Sequence, residues 1–447
     1  MPKPMMVTGW LLAGLFLAGR AGAVDLDLAR YATAKENQVR DYALALTNPV
    51  PDIVWRFFDA VKADDWETAT NLAGRINQAS GRYADGTEDA KISPALRTVI
   101  WPPISEMVGT YEQFHNWDNK WLHRFGREVM GSIPRDSIYF GGTDPGRFII
   151  SALEETAAPE NRFFILTQNQ LVDESYLENI HELYDPKINL PTPQDAQKAF
   201  QDYVTDAQAR LQNGGLRPGE QFQMINGQAK VSGLVAVMTI NGLLARTIFD
   251  RNPGHEFFVE ESYPIEWMFP YLSPHGLILQ LHAKPLEELS ETEVRQDQEY
   301  WRKFTGELIG DWLTEQTRMK ELCDFAGRVY LDKNLAGFKG DAGFAKNDPA
   351  QKCFAKLRSA QAGVYAWRAA QAADMNEKIR MQKAADRAFA QAFALCPYSP
   401  ETVFRYTDLL LAVHRPDDAF LMVKTALLLD PDNLQLKQLI EAVRKAQ

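Results

Sequence analysis
The chain is poor in cysteine and lacks every complete catalytic or metal-binding signature. Its three cysteines, Cys323, Cys353 and Cys396, contain no pair at zinc-ligand spacing, and its seven histidines form no His-Glu-x-x-His. No transition-metal site is therefore expected. The nucleophile elbow Gly-x-Ser-x-Gly is missing, and so are the Walker phosphate loop and the dinucleotide fingerprint. Nothing calls for a cofactor. Beyond the first residues no segment reaches the roughly 18 consecutive apolar residues of a membrane-spanning helix. Positive charge is in deficit, with 48 Lys and Arg against 59 Asp and Glu and a net charge of −11. An acidic surface repels phosphate backbones, so nucleic acid is not an expected partner.

What is present begins with Met1-Pro-Lys3, an apolar run from Met5 to Ala18, and Ala21-Gly22-Ala23. A short basic start, an apolar stretch too short to span a bilayer with ease and a small-x-small site predict a signal peptide over residues 1–23, with export to a periplasmic or extracellular space. Without cleavage the same segment serves as a membrane anchor. Its removal deletes Lys3 and Arg20 and no acid, so the mature chain is more acidic still.

Near the other end, Pro397 and Pro431 stand 34 residues apart, and the stretches 385–397 and 419–431 place small, apolar and Pro positions in register. That is the tetratricopeptide period. Its unit is a helix pair that cannot bury its apolar face alone, so copies stack and leave a groove that suits a protein partner. Helix pairs are expected at about 359–395 and 399–429, with a closing helix from Asn433 whose Lys437, Gln438, Glu441, Arg444 and Lys445 make a polar cap.

Between these ends the periodicity changes twice. Residues 24–133 read as helices, with a tight turn at Asp64-Asp65-Trp66 and a long helix broken at Pro102-Pro103. Residues 134–285 read as an α/β segment. Ser137–Phe140 and Phe163–Leu166 are β-rich runs each followed by a helical stretch, with further strands at 257–259 and 277–281, which predicts parallel strands. Residues 286–447 return to helix, with Leu289, Val294, Tyr300, Phe304, Leu308 and Trp312 along one broad face, of which Phe304, Leu308 and Trp312 are expected to cover the open face of the repeats at 359–447. The expected fold is thus mixed α/β and mostly helical: N-terminal helices, a small parallel-sheet α/β segment and a C-terminal tetratricopeptide-type α-solenoid.

Chemistry is sought at the strand ends, where open parallel sheets bind ligands. Gly141-Gly-Thr-Asp-Pro-Gly-Arg147 lies between a strand and a helix. Its glycines free the backbone, its N–H groups face an anion or a hydroxyl-rich ligand, and Arg147 lies in the first turn. Gln168 and Asn169 follow the second strand, and Glu260 or Glu261 the third. The candidate ligand-binding set is Gly141, Gly142, Thr143, Asp144, Arg147, Gln168, Asn169 and Glu261, with Asp144 and Glu261 as an acid–base pair if they approach closely. The alternative is structural, with Thr143 or Asp144 as a helix cap. Trp101, Trp117 and Trp121 suit either a sugar platform or a buried core, and His115 and His123 either share a helix face or stand alone. In an oxidising compartment Cys323 and Cys353 close a loop through a disulfide, or else remain two buried thiols.

The strings at 136–148, at Leu166-Thr-Gln-Asn169 with Tyr176-Leu177, and at 260–263, 267–272 and 275–277 resemble a little-characterised set of exported bacterial proteins with a tetratricopeptide tail. More distantly, the pattern is similar to the soluble portion of large bacterial membrane proteins of the glycosyltransferase type. The first resemblance implies a protein-binding or assembly module acting through its repeat groove. The second implies a glycan-processing or glycan-binding enzyme, or its soluble part, using the strand ends. Whether the chain is an enzyme stays open at this level.

Overall fold
The computed structural model describes residues 25–81, 92–158, 161–225, 228–260 and 265–446. The leader expected at 1–23 and Glu261 lie outside the described residues. The chain forms two compact units, and each takes two stretches of sequence: residues up to His115 with Arg147–His255, and Asn116–Gly146 with the chain from Glu256 onward. Helices dominate, and among the described residues none is long and apolar enough to cross a membrane.

In the first unit, helices Leu26–Ala43, Asp52–Lys62 and Trp66–Ser80 pack through one apolar stripe each. Val54, Phe57, Phe58 and Val61 fall at three- and four-residue spacing and are buried against Leu72 and Ile76. Asp65 caps the third helix, its carboxylate accepting from Thr68 N at 3.1 Å. Pro102 and Pro103 do not break a helix, as the sequence had suggested. They sit in the first turn of Trp101–Asn116, where a proline's missing N–H costs nothing. Strand β1 is Ile138–Gly141 in the second unit, and β2, Phe164–Thr167, belongs to the first. The first unit adds an antiparallel hairpin, β3 (Gln221–Ile225) with β4 (Gln228–Ser232), between helices Pro193–Gln212 and Leu234–Arg251.

In the second unit β1 pairs with β5 (Phe257–Val259), which pairs with β7 (Ile278–Leu281), which pairs in turn with β6 (Leu272–His275). Of these three pairings β1 with β5 is parallel and the other two are antiparallel, so the expected parallel sheet is a mixed one. The hairpin between β6 and β7 turns over Gly276-Leu277, with Gly276 at φ +57°, a conformation that favours glycine. Strand β6 contains Pro274, which hides it in sequence. A proline is tolerated there because β6 ends the sheet and leaves one side without a ladder.

Against this sheet lie Glu291–Ile309 and Asp348–Gln371; the latter pairs with Met375–Leu395, and Pro400–Ala412 with Pro416–Leu429 and then Leu434–Ala446 stack on from there. The last helix buries Leu436, Ile440 and Val443 and exposes Lys437, Gln438, Glu441, Arg444 and Lys445. Helix Asp348–Gln371 starts well before the expected position and is buried on most of its circumference, which makes it the central helix of the unit. Cys323 and Cys353 are separate buried thiols here, not the bonded pair. Cys323 packs at Thr425 on Pro416–Leu429, and Cys353 sits on the central helix.

Candidate functional site
The glycine-rich turn after β1 does hold an anion, and the anion is a side chain of the same unit. Glu260, which follows β5, turns its carboxylate into the loop, where one oxygen accepts from Gly142 N at 2.9 Å and from Thr143 N at 2.8 Å. The other oxygen accepts from the Thr143 hydroxyl. Thr143 in turn caps the following helical turn, its Oγ1 accepting from Gly146 N at 3.1 Å. The parallel pairing of β1 with β5 brings the two strand ends together, and Glu260 N donates to Phe140 O at 3.0 Å.

Glu260 is only 1% exposed. Two backbone donors and a hydroxyl compensate its buried charge, which would otherwise be costly. The residue that must be glycine is Gly146, because a Cβ there would lie 1.9 Å from the Glu260 carboxyl carbon. Of the two glutamates after β5 the candidate set took Glu261, whereas the one that fills the turn is Glu260, and Gly146 carried no role in that set. A carboxylate directly after a parallel strand, opposite a Gly-Gly-Thr turn, was the available signal.

The other strand-end residues are placed as follows. Asp144 is exposed. In the first unit, Arg147 stacks on the Phe148 ring at 4.2 Å. Gln168 is buried, and neither atom of its amide has a hydrogen-bond partner among the described residues. The Asn169 carbonyl accepts from Asn241 Nδ2 at 3.0 Å. Trp101, Trp117 and Trp121 are all buried, so no sugar ring can stack on them. His115 stacks on Trp66 with ring centres 3.7 Å apart, and His123 falls on a different helix.

Within the second unit a cavity of about 350 Å³ opens between the sheet and the helix pairs. Val259, Leu272 and Leu279 of the sheet form its floor, with Met268 and Phe269 from the segment before β6. Ala360, Gly363 and Val364 of the central helix form one wall; Arg405, Asp408 and Leu409 of Pro400–Ala412 form the other. Small residues make this space. At Gly363 a Cβ would still be 4.0 Å from Arg405 Nη1, so facing helices leave a gap that no side chain fills.

Beside the cavity, the central helix is fastened to the sheet through its polar side chains. Gln361 Nε2 donates to Gly276 O and Ile278 O, both at 2.9 Å, and Arg368 Nη2 donates to Leu272 O at 3.2 Å. Trp367 stacks on Phe269 at 5.4 Å. This face of the helix pair is therefore occupied by the chain's own β6–β7 hairpin, and the cavity is what the hairpin leaves open. Asp408 belongs to the cavity lining and is also exposed to solvent, and desolvation of its carboxyl by the neighbouring groups raises it above the ordinary aspartate value.

Comparison of the chain with family models, with curated proteins and with solved structures finds no match.

Proposed function
We propose that the protein is an exported binding protein, built on a tetratricopeptide-type helical stack, that takes its ligand in the cavity between that stack and the small sheet. The observation that carries this reading is the cavity itself. Its volume is in the range of small-molecule sites, its walls are mainly apolar, and two charged groups stand among them. The 34-residue spacing and the paired helices support the repeat assignment, and the basic start, apolar run and small-x-small site within residues 1–23 support export. The catalytic alternative at the strand ends has less support. Of the described carboxylates there, Asp144 is exposed, and Glu260 is committed to holding a turn, so it is not poised for proton transfer to a substrate.

A thermal-shift screen of the full chain against amines, organic acids, sugars and nucleotides tests the proposal, with Gly363→Leu as the partner variant. A compound that raises the melting temperature of the parent protein and loses that effect in Gly363→Leu places its binding in the cavity. If no compound class stabilises the parent, or if stabilisation persists with the cavity filled, the assignment fails.

A further inference from the structure
We propose that the cavity selects a ligand consisting of an apolar body that carries a protonated amine, with Asp408 receiving the ammonium group. The inference rests on the cavity being a binding site and adds the chemistry of its occupant.

Three observations lead to it. First, the interior of the cavity is built to accept an apolar body. Met268, Phe269 and Leu272 face Val364 and Leu409 across a space of about 350 Å³. An apolar cavity of roughly 150 Å³ already admits benzene, so this one has room for an aromatic ring together with a short alkyl arm.

Second, the two charged residues at the cavity are not equivalent. Arg405 is already engaged by another group of the protein. Asp408 has no hydrogen bond or ion pair among the described residues, and it is an exposed member of the cavity lining. A carboxylate at the rim of a low-dielectric cleft gains more from a cation than one in open water does, because the nearby apolar walls strengthen the attraction. The partial burial that raises its carboxyl pKa has no cation beside it to offset it.

Third, the chain as a whole carries a net charge of −11, which concentrates cations at its surface and disfavours the approach of anionic ligands. An ammonium group on an apolar arm satisfies both requirements at once, the arm filling the space and the head meeting Asp408. A carboxylic acid of the same shape would have to rely on Arg405 and bring a second negative charge next to Asp408.

Three probes with one body and different heads separate these cases: phenylpropylamine, phenylpropanol and phenylpropanoate, titrated into the full chain by isothermal calorimetry at neutral pH. The amine is expected to bind about tenfold more tightly than the alcohol, corresponding to about 1.4 kcal/mol, and the acid most weakly. Asp408→Asn is expected to bring the amine down to the affinity of the alcohol while leaving the alcohol unchanged, and Gly363→Leu to weaken both. Equal binding of amine and alcohol, tightest binding of the acid, or an amine preference that survives Asp408→Asn overturns the inference while leaving the cavity a binding site. Failure of all three probes to bind overturns the cavity assignment along with it.

Discussion

Arg358 Nη1 lies 2.9 Å from both carboxylate oxygens of Asp297, and neither side chain reaches solvent. The pair joins Glu291–Ile309 to the central helix, and Gln391 extends it to Met375–Leu395 by accepting from Arg358 Nε at 2.8 Å. Tyr365 donates to Asp297 at 2.8 Å, and the Trp301 ring stacks under the guanidinium at 4.9 Å. Three helices thus meet at one charged group, which ties Glu291–Ile309 to the pair Asp348–Gln371 with Met375–Leu395.

Breaking that pair on one side leaves a buried, uncompensated cation. Asp297→Ala is expected to destabilise the protein by about 3–5 kcal/mol in urea unfolding. Replacing both partners by apolar residues, Asp297→Leu with Arg358→Met, is expected to cost far less. A double variant as unstable as Asp297→Ala would show that packing, not the stranded charge, sets the loss.

Glu260 and Gly146 make a second coupled pair. Glu260→Ala leaves the Gly142 and Thr143 N–H groups without their acceptor and is expected to cost about 2 kcal/mol or more. Gly146→Ala, which forces a Cβ into the carboxylate, is expected to cost at least as much in the parent. In the Glu260→Ala background the same Gly146→Ala change should cost clearly less, because the group it collides with is gone. Additive losses in the double-mutant cycle would contradict the packing described here.

Glu154, in the first unit, has its carboxyl pushed up to about 7 by burial. The folded state therefore keeps this proton at pH values where the unfolded chain, near 4.5, has released it. Its contribution to stability falls as pH rises from about 4.5 to about 7 and is constant above that. In Glu154→Gln the unfolding free energy should lose this slope and exceed that of the parent above pH 7. An unchanged slope in the variant would assign the pH dependence to other groups.

Burial pushes the Cys323 thiol up to about 11 and the Cys396 thiol up to about 12, so both are un-ionised at neutral pH. The native protein should alkylate slowly at these positions, since the thiolate is the reactive form. Mass measurement after denaturation without reductant is expected to find all three cysteines alkylated. A single alkylated cysteine under those conditions would show that two of them are bonded.

Much of the helical framework is legible in the sequence because helix periodicity and capping are local. The apolar spacing of Ile53–Val61, the turn at Asp64-Asp65-Trp66, and the exposed Lys437, Glu441 and Arg444 of the last helix each report their own environment within a few residues. The strands at 138–141, 164–167, 257–259 and 278–281 were readable as β-rich runs, but which of them pair, and in which direction, was not. Strand direction depends on which distant segment supplies the hydrogen bonds, and β6, carrying Pro274, has a composition that argues against a strand.

What residues 141–146 do was half visible. Glycines and Thr143 before a helix indicate a turn with free N–H groups, and that property follows from residue type alone. The identity of the anion depended on tertiary structure, because Glu260 lies 118 residues from Gly142 and is brought there only by the pairing of β1 with β5. The same holds for the cavity. Ala360 and Gly363 read as ordinary small residues on a helix, and Arg405 and Asp408 as a polar helix face. Only the packing of the central helix between the sheet and Pro400–Ala412 turns the missing side-chain volume into a space with a charged rim, since a cavity is a property of facing surfaces and no single segment contains it.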